Sequence, residues 1–285
     1  MQLTVILSTY NSPDWLEKVL WGYSRQSHTD FEIIIADDGS TNDTAARVRQ
    51  LQRTTGLELR HLWQRDDGFR KCRILNKAIL AAQTEYLVFS DGDCIPRPDY
   101  LQTHAARAER GHYLSGGYYK LPMVTSQAIR PDDVLSGACF DRGWLHRHGM
   151  PVSTKELKLA AGPVLARGLN RLTPTRCNFK GSNGSCWRRD ALAVNGFNED
   201  MAYGSEDREF GVRLQNLGIR PRHVRYDAIV VHLDHPRGYR DEAVYARNRS
   251  IRRHAERHRV IRAARGLQEL SAAGWTPAAA TPPSA

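Results

Sequence analysis

"YLVFSDGDCIP" (residues 86–96) decides how this chain reads: four apolar or aromatic residues run straight into two aspartates one residue apart. The run has the length and composition of a buried strand, and on extended backbone the side chains at i and i+2 share a face. Asp91 and Asp93 are therefore expected to present their oxygens side by side, which is costly unless a cation stands between them. Hard divalent cations prefer carboxylate oxygens and share their coordination with substrate phosphates. Aspartates in turns also serve as plain caps and turn formers, and the spacing alone leaves both readings open.

On the N-terminal side, strand and helix signals alternate. "LTVILS" (3–8), "FEIIIADD" (31–38), "LELRHLW" (57–63) and "EYLVFS" (85–90) read as strands. Between them, helices are expected over 13–26, opened by Pro13, over 41–54, capped by Thr41 or Asn42, and over 71–83. This alternation implies an α/β fold: a Rossmann-like, mainly parallel, doubly wound sheet with helices on both faces. Such sheets bind ligands outside the carboxyl ends of their strands. Ser8–Asn11, Asp37–Ser40 and Asp91–Asp93, with Gly92 between the last two aspartates, all fall at such ends.

Beyond residue 111 the alternation fades. A helical, partly basic insertion is expected over 136–176, a turn-rich strand region over 178–187 and a late strand over 223–235. "SEDREFGVRLQNLG" (205–218) is an amphipathic helix with Ser205 as its cap and Phe210, Leu214 and Leu217 on one stripe. The expected division is one domain over 1–239, made of an alternating half (1–110) and a second half (111–239) that carries the insertion. A basic helix over 240–270 and a disordered, proline-rich tail over 271–285 follow.

Composition narrows the class. In 285 residues, 41% hydrophobic and 25% charged content is that of an ordinary soluble globular protein. No apolar run reaches the length of a membrane span, and the opening "MQLTVILSTYNS" reads as a first strand, not a signal peptide. Five scattered cysteines without a CxxC pair argue against a disulfide framework or a zinc site, and suit a cytoplasmic location. The net charge of +10 leaves nucleic acid, an anionic membrane and a phosphate-bearing substrate open as partners.

Glu206 and Asp207 occupy the first turn of a helix, where the macrodipole favours the ionised carboxylate and keeps Asp207 able to accept a proton. An acidic turn stabilising its own helix is the simpler alternative. His232 and His235 follow a strand and read either as surface histidines or as ligands. Asp66-Asp67-Gly68 reads as a cap and turn or as part of a donor site.

"VILSTYNSPDW…FEIIIADDGSTNDT", "DGFRKCRILNKAI…EYLVFSDGDCIP" and "FKGSNGSCWRRDALAVNGFNED…SEDREFGVRLQNLG" together resemble family 2 glycosyltransferases with the GT-A fold. The resemblance extends to the branch whose C-terminal half is similar to β-1,4-galactosyltransferases and bacterial chondroitin-type polymerases, over residues 3–125 and 176–237. It implies that Ser8, Tyr10 and Asp38, with Asp37 nearby, hold the uracil and ribose of a UDP-sugar. Lys71, Arg73 and Asn76 would face the nucleotide, Asp91 the ribose, and Asn183 a sugar. Asp93 and His232, with His235 as second choice, would hold Mn²⁺ or Mg²⁺; Asp207 would be the general base and Glu206 a partner to the acceptor. The implied reaction is transfer with inversion to a glycan or lipid-linked hydroxyl, in cell-surface polysaccharide or lipopolysaccharide assembly.

Two rival readings compete with this one. A sugar-nucleotide pyrophosphorylase needs a glycine-rich loop after the first strand, which "STYNSPDW" lacks. A noncatalytic nucleotide-sugar or anionic-glycan binding protein has no need of Asp93 and Asp207. The arginine-rich helix over 240–270 reads as a solvated helix or as a contact with the anionic inner membrane face, making the protein peripheral there. Nothing interleaves aromatics with this charge as nucleic-acid binding would require.

Overall fold

The computed structural model describes residues 1–236 and 241–276. The strands are β1 (Leu3–Thr9), β2 (Phe31–Asp37), β3 (Leu59–Trp63), β4 (Tyr86–Asp91), β5 (Cys94–Pro96), β6 (His112–Lys120), β7 (Asn183–Trp187) and β8 (Arg220–His232). They form one sheet in the order β3-β2-β1-β4-β7-β6-β8-β5. The pairs β3–β2, β2–β1, β1–β4 and β6–β8 are parallel, whereas β7 and β5 run antiparallel to their neighbours.

Helices α1 (Pro13–Tyr23), α2 (Asn42–Thr55) and α3 (Lys71–Ala81) make the crossovers among β1 to β4, and α4 (Tyr100–Arg107) precedes β6. The insertion is a run of short pieces: α5 (Met123–Ala128), α6 (Pro131–Leu135), α7 (Arg142–Arg147), α8 (Leu157–Ala160) and α9 (Pro163–Leu172). Then come α10 (Arg188–Ala193), α11 (Glu206–Asn216), α12 (Glu242–Arg257) and α13 (Leu267–Ala272).

The apolar runs of β1, β2 and β4 are continuous because both faces of the sheet are covered. Leu3, Val5, Leu7, Ile33, Ile35, Tyr86 and Val88 enter one core with Leu16, Val19 and Leu20 of α1. The alternate residues Ile6, Ile34, Leu87 and Phe89 enter the other, against Ile74, Leu75 and Ala78 of α3 and Phe210 and Leu214 of α11. Burying side chains of this size is worth about 1.5–3 kcal/mol each.

Three expectations are corrected. The basic segment is two helices, not one over 240–270: α12 stops at Arg257, and Arg259 takes a left-handed φ of 52° before the chain turns into α13. Residue 271 does not begin a disordered tail, since α13 runs to Ala272 and Trp275 packs against the core; residues 277–285 lie outside the described residues. The late strand starts at Arg220 and ends at His232, so His235 lies beyond it.

Candidate active site

The two aspartates of the opening stretch have different partners. The chain leaves β4 at Asp91 and turns at Gly92, whose N–H donates to Ser8 O at 2.8 Å, so the extended i, i+2 geometry ends there. Asp91 is held on one side by Ser8 Oγ at 2.6 Å and Lys71 Nζ at 2.7 Å. Burial works against its charge, but the Lys71 ammonium outweighs burial and keeps the carboxyl below its ordinary range. The cation beside Asp91 is therefore Lys71.

Asp93 lies against the end of β8. Antiparallel pairing sets Cys94 opposite His232, and Leu233 N donates to Asp93 O at 2.9 Å. This ladder brings His232 Nε2 within 3.8 Å of Asp93 Oδ1, and His235 Nε2 within 3.2 Å of Asp93 Oδ2. Each histidine Nδ1 meets a carbonyl, Leu233 O at 2.8 Å and Pro236 O at 2.9 Å, and a carbonyl only accepts. Each Nδ1 thus donates to backbone, which leaves both Nε2 atoms turned toward the Asp93 carboxylate, the orientation of metal-ligating histidines. Cys94 completes the cluster in space, but burial pushes its thiol well above the usual range, and Sγ donates to Asp93 at 3.3 Å. One carboxylate with two imidazoles fits Mn²⁺ or a similar divalent ion, and the protonated thiol is not needed.

At the carboxyl ends of β1 and β2, Tyr10 is 49% exposed and its hydroxyl donates to Asp66 Oδ2 at 2.9 Å. Asp38 accepts from Gln64 Nε2 at 2.6 Å and from Arg70 N at 2.9 Å, and burial raises its pKa to about 6. Gly39, at φ 100°, lets the two loops touch: a Cβ there would lie 2.6 Å from the Asp66 backbone. Asp66, left open in the sequence between turn and donor site, belongs to this cluster.

Four residues expected at the nucleotide or sugar serve elsewhere. Asp37 is fully buried and braces its own turn, accepting from Ser40 N at 2.8 Å and meeting His61 Nε2 at 2.8 Å. Arg73 pairs with Glu199 at 2.9 Å, and the buried Asn76 amide bonds Phe197 O, Phe197 N and Glu199, so that face of α3 grips the 196–199 loop. Asn183 is also fully buried: Nδ2 donates to Gly117 O and Ala228 O at 2.7 and 3.0 Å, fastening β6 to β8. His104 Nε2 lies 3.2 Å from Asn183 Oδ1, its Nδ1 meets Ser185 Oγ at 2.8 Å, and burial pushes its pKa down to about 4.

Around α11, Ser205 is not the expected side-chain cap. It takes a left-handed φ of 69° and makes no capping bond; Glu206 Oε2 instead accepts from Gly204 N at 2.8 Å. Asp207 accepts from Gly181 N at 3.2 Å and Arg208 N at 2.7 Å. Burial outweighs the helix macrodipole, raising Glu206 to about 7, with Asp207 adding to it, and raising Asp207 as well. Lys71 ties the parts together, its charge favoured by Asp91, Glu206 and Asp93 at once despite burial.

What holds this loop has no signature in local spacing. Asn248 of α12 is 1% exposed, and its Nδ2 lies 3.0, 3.2 and 2.9 Å from the carbonyls of Ala202, Tyr203 and Gly204. The Tyr245 ring covers Gly204, where φ is 109° and a Cβ would come within 2.7 Å of it. Tyr203 packs edge-on against both Phe69 and Tyr245. From sequence α12 reads only as a basic helix, because Asn248 is one polar residue among arginines.

Residues 4–158 match the model of glycosyl transferase family 2, and the chain belongs to that family. It is 27% identical over 230 residues to validoxylamine A glucosyltransferase of Streptomyces hygroscopicus subsp. jinggangensis, covering 76% of this chain and 52% of that protein. It is 24% identical over 271 residues to chondroitin synthase of Escherichia coli, covering 87% of this chain and 37% of that one. The chain spans about half the length of the first of these relatives and less of the second. Residues 1–349 of Staphylococcus aureus TarS, solved with UDP-GlcNAc, align with a TM-score of 0.62 at 16% identity, over 94% of this chain and 69% of that one. This likeness shows the GT-A fold expected from the motifs. No described helix is long and apolar enough to cross a membrane.

Proposed function

We propose that the protein is a metal-dependent, inverting glycosyltransferase that moves a sugar from a UDP-sugar to a glycan or lipid-linked hydroxyl in cell-surface polysaccharide or lipopolysaccharide assembly. The observation that carries the reading is the β5–β8 ladder, which sets Asp93 against His232 and His235 on the same site as the Glu206–Asp207 pair. In this reading residues 1–110 bind the donor and 111–239 the acceptor.

Tyr10, Asp38 and Asp66 receive the uridine, and Ser8 and Lys71 fix Asp91 toward the ribose. Asp93 and His232, with His235 beside them, would hold Mn²⁺ or Mg²⁺, which when bound supplies positive charge for the diphosphate leaving group. Asp207 takes the acceptor proton, its raised pKa bringing it closer to the working pH, and Glu206 orients the hydroxyl. With this one base and no second carboxylate assigned as a covalent nucleophile, direct displacement inverts the anomeric centre.

The test is Asp207→Asn in an assay of UDP-sugars against glycan acceptors. Transfer is expected to fall about 10²–10⁴-fold while donor binding holds. Transfer at the wild-type rate would place the base elsewhere.

A further inference from the structure

The acceptor side carries a cation cluster that the chemistry above does not use. Lys158 of α8 and Lys180 just before β7 meet at Tyr118 of β6, and Arg225 of β8 lies close enough to act on both charges. Lys158 Nζ donates to Tyr118 O at 2.9 Å and Lys180 Nζ to Gly116 O at 2.7 Å, and the two ammonium groups lie 5.5 and 5.7 Å from the Tyr118 ring centre. Arg225 reaches Thr175 Oγ1 at 3.1 Å, while its Nε is buried without a partner. Among the described residues none of these three cations makes an ion pair, although most other charged side chains near the site do.

Half-buried like charges that make no direct ion pair are unfavourable, and burial followed by Arg225 pulls both lysines down to about 8, with Asp207 offsetting part of this at Lys180. An anion seated among them would be desolvated and bonded by charge-assisted hydrogen bonds, which are the strong kind. Its position follows from two neighbours. Gly181, next to Lys180, donates to Asp207, and the Tyr118 ring lies 5.8 Å from that of His232. The cluster therefore borders the candidate base and the candidate metal ligand. It is built from β6, β8 and the insertion, away from the β1–β2 ends that carry Tyr10 and Asp38.

We infer that Lys158, Lys180 and Arg225 form a subsite for an anionic group, a carboxylate or a phosphate, borne by the acceptor, with Tyr118 as its floor. This deepens the glycosyltransferase reading and rests on it: the acceptor is a charged glycan or glycan phosphate rather than a neutral sugar.

The test is calorimetric titration of D-glucuronate and of inorganic phosphate into the full chain, with and without saturating UDP and Mg²⁺. Saturable, salt-sensitive binding is expected, weakened about tenfold in Lys158→Gln and in Arg225→Gln and restored in Lys158→Arg. Saturation by glucuronate alone would assign a carboxylate, and by phosphate alone a phosphate. Absence of saturable binding in the wild type, or equal binding in Lys158→Gln and Arg225→Gln, overturns the subsite. A chain that binds the anions but not UDP would sink the donor assignment instead, and leave the anion site standing.

Discussion

Asn248→Ala separates the loop clamp from the chemistry it serves. The Asn248 amide carries two hydrogens shared among three carbonyls at 2.9–3.2 Å, all on the three residues before Ser205. A buried hydrogen bond is worth about 1 kcal/mol net, so the change should cost roughly 2 kcal/mol of stability. Its Oδ1 has no partner, so losing that atom adds nothing to the cost. The larger effect should be on rate. Glu206 depends on Gly204 N for its position, and a displacement of about 1 Å at a reacting group can cost about 10²-fold. Urea unfolding reads the first effect and steady-state transfer the second, with UDP affinity as control, because Tyr10, Asp38 and Asp93 lie on other loops. Asn248→Asp should be worse, since a carboxylate would face three carbonyl oxygens. A variant that loses stability yet keeps the wild-type kcat would refute the clamp's role in placing Glu206.

His104 gives a pH signature in stability. Its folded pKa of about 4 lies below the ordinary 6.5, so its contribution is complete above pH 6.5 and drains away as the pH falls toward 4, by roughly 3 kcal/mol in all. Chemical unfolding between pH 7 and 4 should show that drop in the wild type and lack it in His104→Gln; parallel curves would refute it. Arg249, Arg253 and Arg257 share an exposed face of α12, one helical turn apart. Changing all three to Gln should weaken sedimentation with anionic vesicles by about 1 kcal/mol per charge and leave the Asn248 clamp in place, and unchanged sedimentation would make that face merely solvated.

Strands β1 to β4 and helices α1 to α3 were legible because their cores repeat at periods of two and 3.6, and their loops are short. Later strands were harder to read. β7 reads Asn-Gly-Ser-Cys-Trp yet is fully buried, its polarity absorbed by Asn183 bonding two strands and by Ser185 meeting Tyr86 and His104. The motifs mark Asp93, His232, Glu206 and Asp207, whereas the partners of each side chain come only from the fold. Asp37, Asn76 and Asn183 sit in motif positions and are buried, because a polar side chain at a strand end can satisfy backbone as well as ligand. Tyr245 and Asn248, and the Lys158–Lys180–Arg225 cluster, join segments tens of residues apart. No local spacing records such contacts.

The central claim is that Asp93, with His232, holds a divalent cation on which donor binding depends. The most direct measurement is UDP affinity with and without Mn²⁺, by calorimetry, for the wild type and for Asp93→Ala. Mn²⁺ should tighten UDP binding to the wild type by about tenfold or more, and Asp93→Ala, having lost the carboxylate among few protein ligands, should show no tightening. Equal UDP affinity of the two proteins in the presence of Mn²⁺ would contradict it.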